Sequence, residues 1–127
     1  MKVSVKGTQS DGWGLTQGKL KNADCHGAVD RWLETHSRRT VFCLVQFKNV
    51  MLTELPRIYL ATSIEIASHL KRVRDGHGYT ILHEDHKWSR GIAQDSHDRI
   101  PDDWRFTPER LEAVAATIAS QPELARC

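Results

Sequence analysis

Apolar and polar residues alternate along the chain in runs that predict three strands and indicate a fourth. Residues 40–48 are β-branched and aromatic, and they are apolar on both faces as far as Val45, which is typical of a covered central strand. Residues 56–61 follow after a short link, so the two segments are expected to pair as an antiparallel hairpin. Residues 79–84 form the third predicted strand, and residues 2–5 could add a short one.

Apolar side chains spaced three and four residues apart predict three helices, over residues 25–36, 63–74 and 108–119. The second helix has the best-marked start, because Thr62 and Glu65 match the capping box, in which each side chain bonds the backbone of the other residue. Each predicted helix has one apolar face, so we expect all three to pack against a sheet.

The order helix, strand, strand, helix, strand, helix predicts one α/β (α+β) domain over residues 1–127, with a small mixed sheet and flanking helices. A strand, a helix and a strand in succession form a βαβ unit, so residues 56–61 and 79–84 should be parallel and joined by a right-handed crossover. Residues 1–23 are rich in glycine and predict an irregular arm. Residues 87–106 show no clear period and predict a long loop.

The composition is that of an ordinary soluble globular protein, with 39% of the residues hydrophobic and 27% charged. No apolar run approaches the roughly 20 residues that cross a bilayer, and the first residues lack the apolar core of a signal peptide. We therefore expect a small cytoplasmic protein with no membrane partner, whose 3 widely spaced cysteines are reduced. The formal net charge of +2 excludes an overall polycation, so nucleic-acid binding would need a local basic patch.

The predicted parallel strands also predict where a site would lie. Ligands of such sheets collect at the carboxyl ends of the parallel strands. One of these ends leads to Thr62 and Ser63, and the other leads to Glu84 and Asp85. We therefore expect one sheet edge at which the helix start at Thr62 receives a phosphate beside two carboxylates.

Two short motifs place an acid or an amide two residues before a lysine. Asp85 to Lys87 read Asp-His-Lys, and Gln46 to Lys48 read Gln-Phe-Lys. Both resemble the (D/E)-x-K half-motif of the PD-(D/E)xK nucleases, the second in the variant with glutamine in place of the acid. The resemblance implies Mg²⁺-dependent phosphodiester cleavage, with Glu84 and Asp85 as metal ligands and Lys87 activating water. Oxygen ligands of this kind suit Mg²⁺.

Other residues could complete a metal site. The family also uses an acid from an upstream strand, and the candidates here are Asp24, Asp30 and Asp75, none of which ends a predicted strand. A zinc site could include His83, His86 and His97 with Asp85 and Asp98. Strand alternation, however, would place the imidazoles of His83 and His86 on opposite faces. Solvated polar residues of a loop are the alternative interpretation of these histidines.

A non-catalytic binding module is the interpretation that we prefer, because no complete catalytic set can be assembled from these residues. Arg72, Arg74 and Arg90 could contact phosphates, and Trp88 or Tyr79 could stack on a base. A protein partner is also compatible with these side chains. Cations in the last turn of a helix stabilise its dipole, so a solvated surface without a ligand stays an alternative.

Overall fold

The computed structural model describes residues 1–15 and 24–121, and these residues form a mixed α/β domain with three α-helices and seven strands. The helices are α1 (Cys25–Glu34), α2 (Ser63–Arg72) and α3 (Pro108–Ser120). The strands are β1 (Lys2–Thr8), β2 (Gly12–Gly14), β3 (Thr40–Gln46), β4 (Arg57–Thr62), β5 (Ile81–His83), β6 (Asp85–Lys87) and β7 (His97–Arg99). The α/β class and the three predicted helices are thus confirmed.

The main sheet has the strand order β1-β3-β4. Strand β3 is central, pairing in parallel with β1 and antiparallel with β4, so the predicted hairpin of β3 and β4 is confirmed. Strand β1 extends beyond the predicted residues 2–5, and β2 follows it, so the prediction of an irregular arm is wrong for residues 1–15. The reason is that Val3 and Val5 alternate with polar residues, a strand pattern that the neighbouring glycines obscured. The rest of that predicted arm, 16–23, lies outside the described residues.

The predicted βαβ unit is wrong, because β5 does not join the main sheet. Strand β5 pairs antiparallel with β2 in a separate two-stranded sheet, with Trp13 opposite Leu82. The second edge of β4 is occupied by a later segment, in which Arg105 bridges to Tyr59 and the Phe106 amide donates to the Ile58 carbonyl. A strand arriving after α2 therefore finds no free edge on β4 and pairs with β2 instead.

The predicted long loop over 87–106 is also wrong in part, because it contains β7 and a 3₁₀ turn, Asp102–Trp104. Strands β6 and β7 pair antiparallel as a ribbon, with His86 opposite Asp98. Each strand has three residues, which is too short to show a period in the sequence. Buried Ile100 and Trp104 anchor the end of this segment on the domain.

Two hydrophobic cores lie on opposite faces of the main sheet. The first, between the sheet and helices α1 and α2, consists of Trp13, Val29, Trp32, Phe42, Leu44, Tyr59, Ala61, Ile66, Ala67, Leu70, Leu82, Ile100 and Trp104. The second lies under α3 and consists of Val41, Leu60, Val114 and Ile118. Helix α3 thus covers one face of the sheet at β3 and β4. No described helix is long and apolar enough to span a membrane.

Helix α2 begins at the capping box that the sequence predicts. The Glu65 amide donates to Thr62 Oγ1 over 3.1 Å, and the Thr62 amide donates to Glu65 Oε1 over 2.9 Å. The helix ends two residues before the predicted residue 74, because the backbone turns into the left-handed region at Arg74 and Asp75, with φ of 55° and 57°. This turn starts the chain on its path to β5.

Replacing Thr62 with alanine removes the oxygen that accepts the Glu65 amide hydrogen. We expect the free energy of unfolding, measured by urea denaturation, to fall by about 1 kcal/mol. The matched control is Ser68→Ala, at an exposed position of the same helix, which should change this free energy by less than about 0.5 kcal/mol. Equal effects of the two substitutions would contradict a capping role for Thr62.

Candidate functional site

Glu84 lies between β5 and β6 and joins the small sheets to the main sheet. Its carboxylate accepts hydrogen bonds from Arg57 Nε (2.7 Å), Arg57 Nη2 (3.0 Å) and the Tyr59 hydroxyl (2.5 Å). Its amide donates to the Asp11 carbonyl over 2.9 Å, and its carbonyl accepts from the Ile100 amide over 3.1 Å. Four separate segments of the chain therefore meet at this one residue.

The Glu84 carboxylate is held in its charged form. Burial raises its pKa, but the hydrogen bonds from Arg57 and Tyr59 and the positive charges of Arg57 and Arg105 together place the pKa below its ordinary value of 4.5. Burial and the contact with Glu84 raise the pKa of the Tyr59 hydroxyl, which stays protonated and donates. Both carboxylate oxygens are therefore engaged by donors of the protein itself.

Asp85 and Lys87, the other residues proposed for catalysis, lie on the exposed face of β6. The Asp85 carboxylate contacts His97 Nε2. The carboxylates of Glu84 and Asp85 thus have different partners, and among the described residues no three His, Cys, Asp or Glu side chains are grouped so that they could hold a metal ion. Metal binding by Glu84 and Asp85 stays a prediction.

Thr62 and Ser63 do not share an edge with Glu84, so the predicted common edge is wrong. Thr62 ends β4, whereas Glu84 contacts Arg57 at the start of this six-residue strand. The two ends are roughly 17 Å apart at about 3.3 Å per step. Thr62 is 2% exposed and caps α2, and buried Ser63 donates to the Ser37 carbonyl over 3.1 Å. The common edge required β4 and β5 to be parallel neighbours, and they are not.

Four side chains from the segment 79–88, which contains β5 and β6, form a group that we call the ring cluster: Tyr79, His83, His86 and Trp88. His83 stacks on Tyr79, with ring centroids 5.6 Å apart, and on His86, with centroids 4.3 Å apart. The Trp88 ring lies edge-on to all three, at centroid distances of 5.1, 5.7 and 4.6 Å. All four residues are half-buried, so part of each remains accessible to solvent.

His83 and His86 lie on the same face. The prediction from strand alternation, which placed the two imidazoles on opposite faces, is therefore wrong. Alternation fails because the strand is interrupted at Glu84, whose side chain turns toward Arg57. Burial and the neighbouring His86 lower the pKa of His83, whereas the more distant Asp11 and Asp98 raise it. His83 is therefore held as a neutral, stackable ring near neutral pH.

Arg74 and Trp88, two residues predicted to contact nucleic acid, lie close together. The Arg74 guanidinium carbon lies 5.1 Å from the Tyr79 ring centroid and 5.3 Å from that of Trp88, within cation–π distance. Asp98 positions both residues, because its Oδ2 accepts from the Arg74 amide (3.0 Å) and from Trp88 Nε1 (2.6 Å). The sequence interpretation named Asp98 only as a possible zinc ligand, and its position opposite His86 in the ribbon is evident only in the structure.

The remaining predicted cations, Arg72 and Arg90, are exposed. Arg72 ends α2 two residues before Arg74, and Arg90 follows Trp88 by two residues. Within the described residues, neither Arg72 nor Arg90 forms an ion pair.

The lysine of the Gln-Phe-Lys motif, residues 46–48, contacts Asp11, an acid that the sequence analysis did not identify. Lys48 Nζ contacts the Asp11 carboxylate, and His86 Nδ1 lies 4.0 Å from Asp11 Oδ2. The hydrogen bond from Lys48 lowers the pKa of Asp11, although burial acts in the opposite direction. Gln46 is fully buried, with its amide nitrogen donating to the Ser10 carbonyl and its amide oxygen accepting from the Lys48 backbone, each over 2.8 Å. A short polar turn after β1 thus carries the acid nearest to Lys48.

The upstream acids proposed from the sequence lie elsewhere. Asp24 caps α1 by accepting from the Gly27 amide over 2.9 Å, Asp30 contacts Lys71, and Asp75 is exposed in the turn after α2.

An open cavity of about 430 Å³ lies beside Glu84. Tyr59, Glu84 and Arg57 contribute to its lining, as do Asp85, Arg99, Ile100, Asp102 and Arg105. Its three arginines are balanced by three carboxylates, so the cavity selects no particular ligand charge.

Comparisons with protein-family models, with curated proteins and with solved structures find no match. The assignment of function therefore depends on the contacts described above.

Replacing Glu84 with glutamine should remove the charge-assisted contacts to Arg57 and Tyr59. We expect a loss of about 1–3 kcal/mol in the free energy of unfolding at pH 7, measured by urea denaturation. Because the folded-state pKa of Glu84 is lowered, its contribution is complete above the ordinary value of 4.5 and is lost as the pH falls through the folded-state pKa. The difference from the native protein should therefore shrink below about pH 4.5.

The control is Asp85→Asn, which changes the adjacent but exposed carboxylate and should have little effect. A loss at pH 7 that persists unchanged below the folded-state pKa would contradict a charged Glu84 as its cause.

Proposed function

We propose that the protein is a non-catalytic module that binds single-stranded nucleic acid through the ring cluster. The observation that supports this most strongly is the stack of Tyr79, His83 and His86 beside Trp88 and Arg74, in a half-exposed position. Bases of a single strand stack on aromatic side chains whatever their identity, because every base has a π-face. The surface offers such a platform on its open side.

The exposure of the tryptophans distinguishes this cluster from ordinary core packing. Three of the 4 tryptophans are buried, Trp13 at 3%, Trp32 at 6% and Trp104 at 3% exposure. Trp88 alone is half-exposed, and its ring nitrogen is tied to Asp98 instead of to solvent. A large ring that is held in place but left partly open is typical of a binding surface.

The charges around the cluster favour a ligand with phosphates. Arg72 and Arg90 are exposed, each two residues along the chain from Arg74 or Trp88. Exposed arginines of this kind neutralise phosphates and release their counterions. Arg74 packs against Tyr79 and Trp88 and donates from Nη1 to the Gly78 carbonyl over 3.3 Å, so it supports the rings. Arg74 also has an uncommon left-handed backbone, with φ of 55°, and a strained residue held by its neighbours is frequent at functional positions.

A metal-dependent phosphodiesterase is the second candidate. The observation that favours it is the contact between Asp11 and Lys48, because it brings an upstream acid to the motif that resembles the PD-(D/E)xK nucleases. Gln46, in contrast, has both groups of its amide engaged within the protein. The non-catalytic interpretation is therefore preferred.

A fluorescent oligothymidylate of about 12 nucleotides, within the usual site size, should bind saturably at low salt. Fluorescence anisotropy should show that Arg72→Gln/Arg90→Gln lowers the slope of log K against log salt by about 0.7 for each lost contact. The variant His86→Ala should weaken binding by a cost of about 1–3 kcal/mol, through lost stacking.

The matched control is Arg31→Gln/Arg38→Gln, two exposed arginines in and after helix α1, which should retain the native slope. Absence of saturable binding, or equal losses in the control, would contradict the proposal. Cleavage of the oligonucleotide with Mg²⁺ that disappears in Lys48→Ala would instead support the second candidate.

A further inference from the structure

Strand β1 forms an edge of the main sheet. Its bonds to β3 include Lys2 N to the Arg39 carbonyl (3.3 Å) and Phe47 N to the Thr8 carbonyl (2.8 Å). In a parallel ladder alternate residues bond the same neighbour, so these contacts assign the even-numbered residues of β1 to β3. The amide and carbonyl groups of Val3, Val5 and Gly7 therefore point away from β3, and no described strand pairs with them.

One face of this edge is apolar, and nothing in the described ranges 1–15 and 24–121 covers it. Val3 lies beside Val41 and Val5 beside Cys43 in the register, so both valines are on the α3 side of the sheet. Helix α3 contacts β4 and leaves β1 open, with Val3 52% and Val5 66% exposed. A seven-residue edge strand with exposed aliphatic side chains and no proline is suited to accept another strand.

The other face of the same edge is basic. Lys2 lies beside Thr40 and Lys6 beside Leu44, so their side chains are on the side of α1. Both lysines are exposed, and neither forms an ion pair within the described part of the chain. The positive charge of this face also affects His36. Burial is the main cause that lowers the pKa of His36, and the charges of Lys2 and Lys6 lower it further.

We propose that β1 accepts an extended segment of a partner protein as a fourth strand, and that this segment alternates acidic and aliphatic residues. Acidic side chains on one face would lie opposite Lys2 and Lys6, and aliphatic side chains on the other would cover Val3 and Val5. Opposite charges across strands stabilise a pair, whereas like charges do the reverse. A second copy of β1 is disfavoured for that reason, because it would add two lysines to the same edge.

The partner strand is independent of nucleic-acid binding at the ring cluster. The phosphates of a nucleic-acid strand would neutralise the charges of Lys2 and Lys6. Such a strand has no aliphatic side chains to cover Val3 and Val5, however. It also lacks the regular alternation of hydrogen-bond donors and acceptors that pairs with a β-strand edge. The edge therefore fits a polypeptide.

The probe is an acetylated and amidated peptide of about eight residues that alternates glutamate and valine, long enough to pair with the strand. Titration into the ¹⁵N-labelled protein should shift the amides of Val3, Val5 and Gly7 saturably. Two control peptides should fail to do so. The first is the same peptide N-methylated on alternate residues, those whose amides would face β1. The second is a peptide that alternates lysine and valine.

Charge reversal in the protein tests the predicted acidic partner. Lys2→Glu/Lys6→Glu should weaken binding of the glutamate peptide at least about tenfold and favour the lysine peptide, since each pair of charges changes from attraction to repulsion. The matched control, Lys87→Glu/Arg99→Glu on the exposed face of the β6–β7 ribbon, should leave affinity for the glutamate peptide within about twofold. Thermal unfolding should verify that both variants fold.

Binding that survives N-methylation would overturn strand addition, and binding that survives charge reversal would overturn the acidic partner. Absence of saturable shifts would overturn both. The proposal would also be wrong if sedimentation showed a dimer of this chain that Lys2→Glu/Lys6→Glu altered. It would be wrong as well if the oligothymidylate shifted the amides of Val3, Val5 and Gly7.

Discussion

The carboxylate of Glu84, bonded by Arg57 and Tyr59, is the contact on which the rest of the site depends. The β2–β5 and β6–β7 sheets have strands of only three residues, and two-stranded sheets of this size are marginal on their own. Glu84 lies at the junction of the two and attaches them to β4. Its backbone bonds Asp11 on one side and Ile100 on the other, so the same residue also closes both small sheets.

The interruption of the strand at Glu84 has a functional consequence. With the Glu84 side chain directed to the main sheet, His83 and His86 stack 4.3 Å apart, where Tyr79 and Trp88 can pack around them. A contact that stabilises the fold thus also assembles the surface proposed to bind bases. The edge of β1 has a different origin, since it follows from strand order in the main sheet, so the two proposed surfaces are structurally separate.

The features that local sequence determines were predictable, and those that depend on distant pairing were not. Thr62 and Glu65 specify the start of α2 because a capping box involves residues three apart. The order β4, α2, β5 favoured a parallel pair, but the free edge of β4 had been taken by Arg105 and Phe106, from much later in the chain. Likewise Asp11 reaches Lys48 through the parallel pairing of β1 with β3, between segments far apart in the chain. Asp98 reaches Arg74 and Trp88 through strands too short to show a period.

The most direct test of this account measures the proximity of the His83 and His86 rings by nuclear Overhauser effects in Arg57→Lys. Lysine keeps the positive charge but loses the two-point contact with Glu84. We expect the cross-peaks between the two imidazoles to weaken or disappear, while those between Cys43 and Leu60 across β3 and β4 remain. Histidine cross-peaks of native intensity in this variant would contradict the dependence of the ring cluster on Glu84.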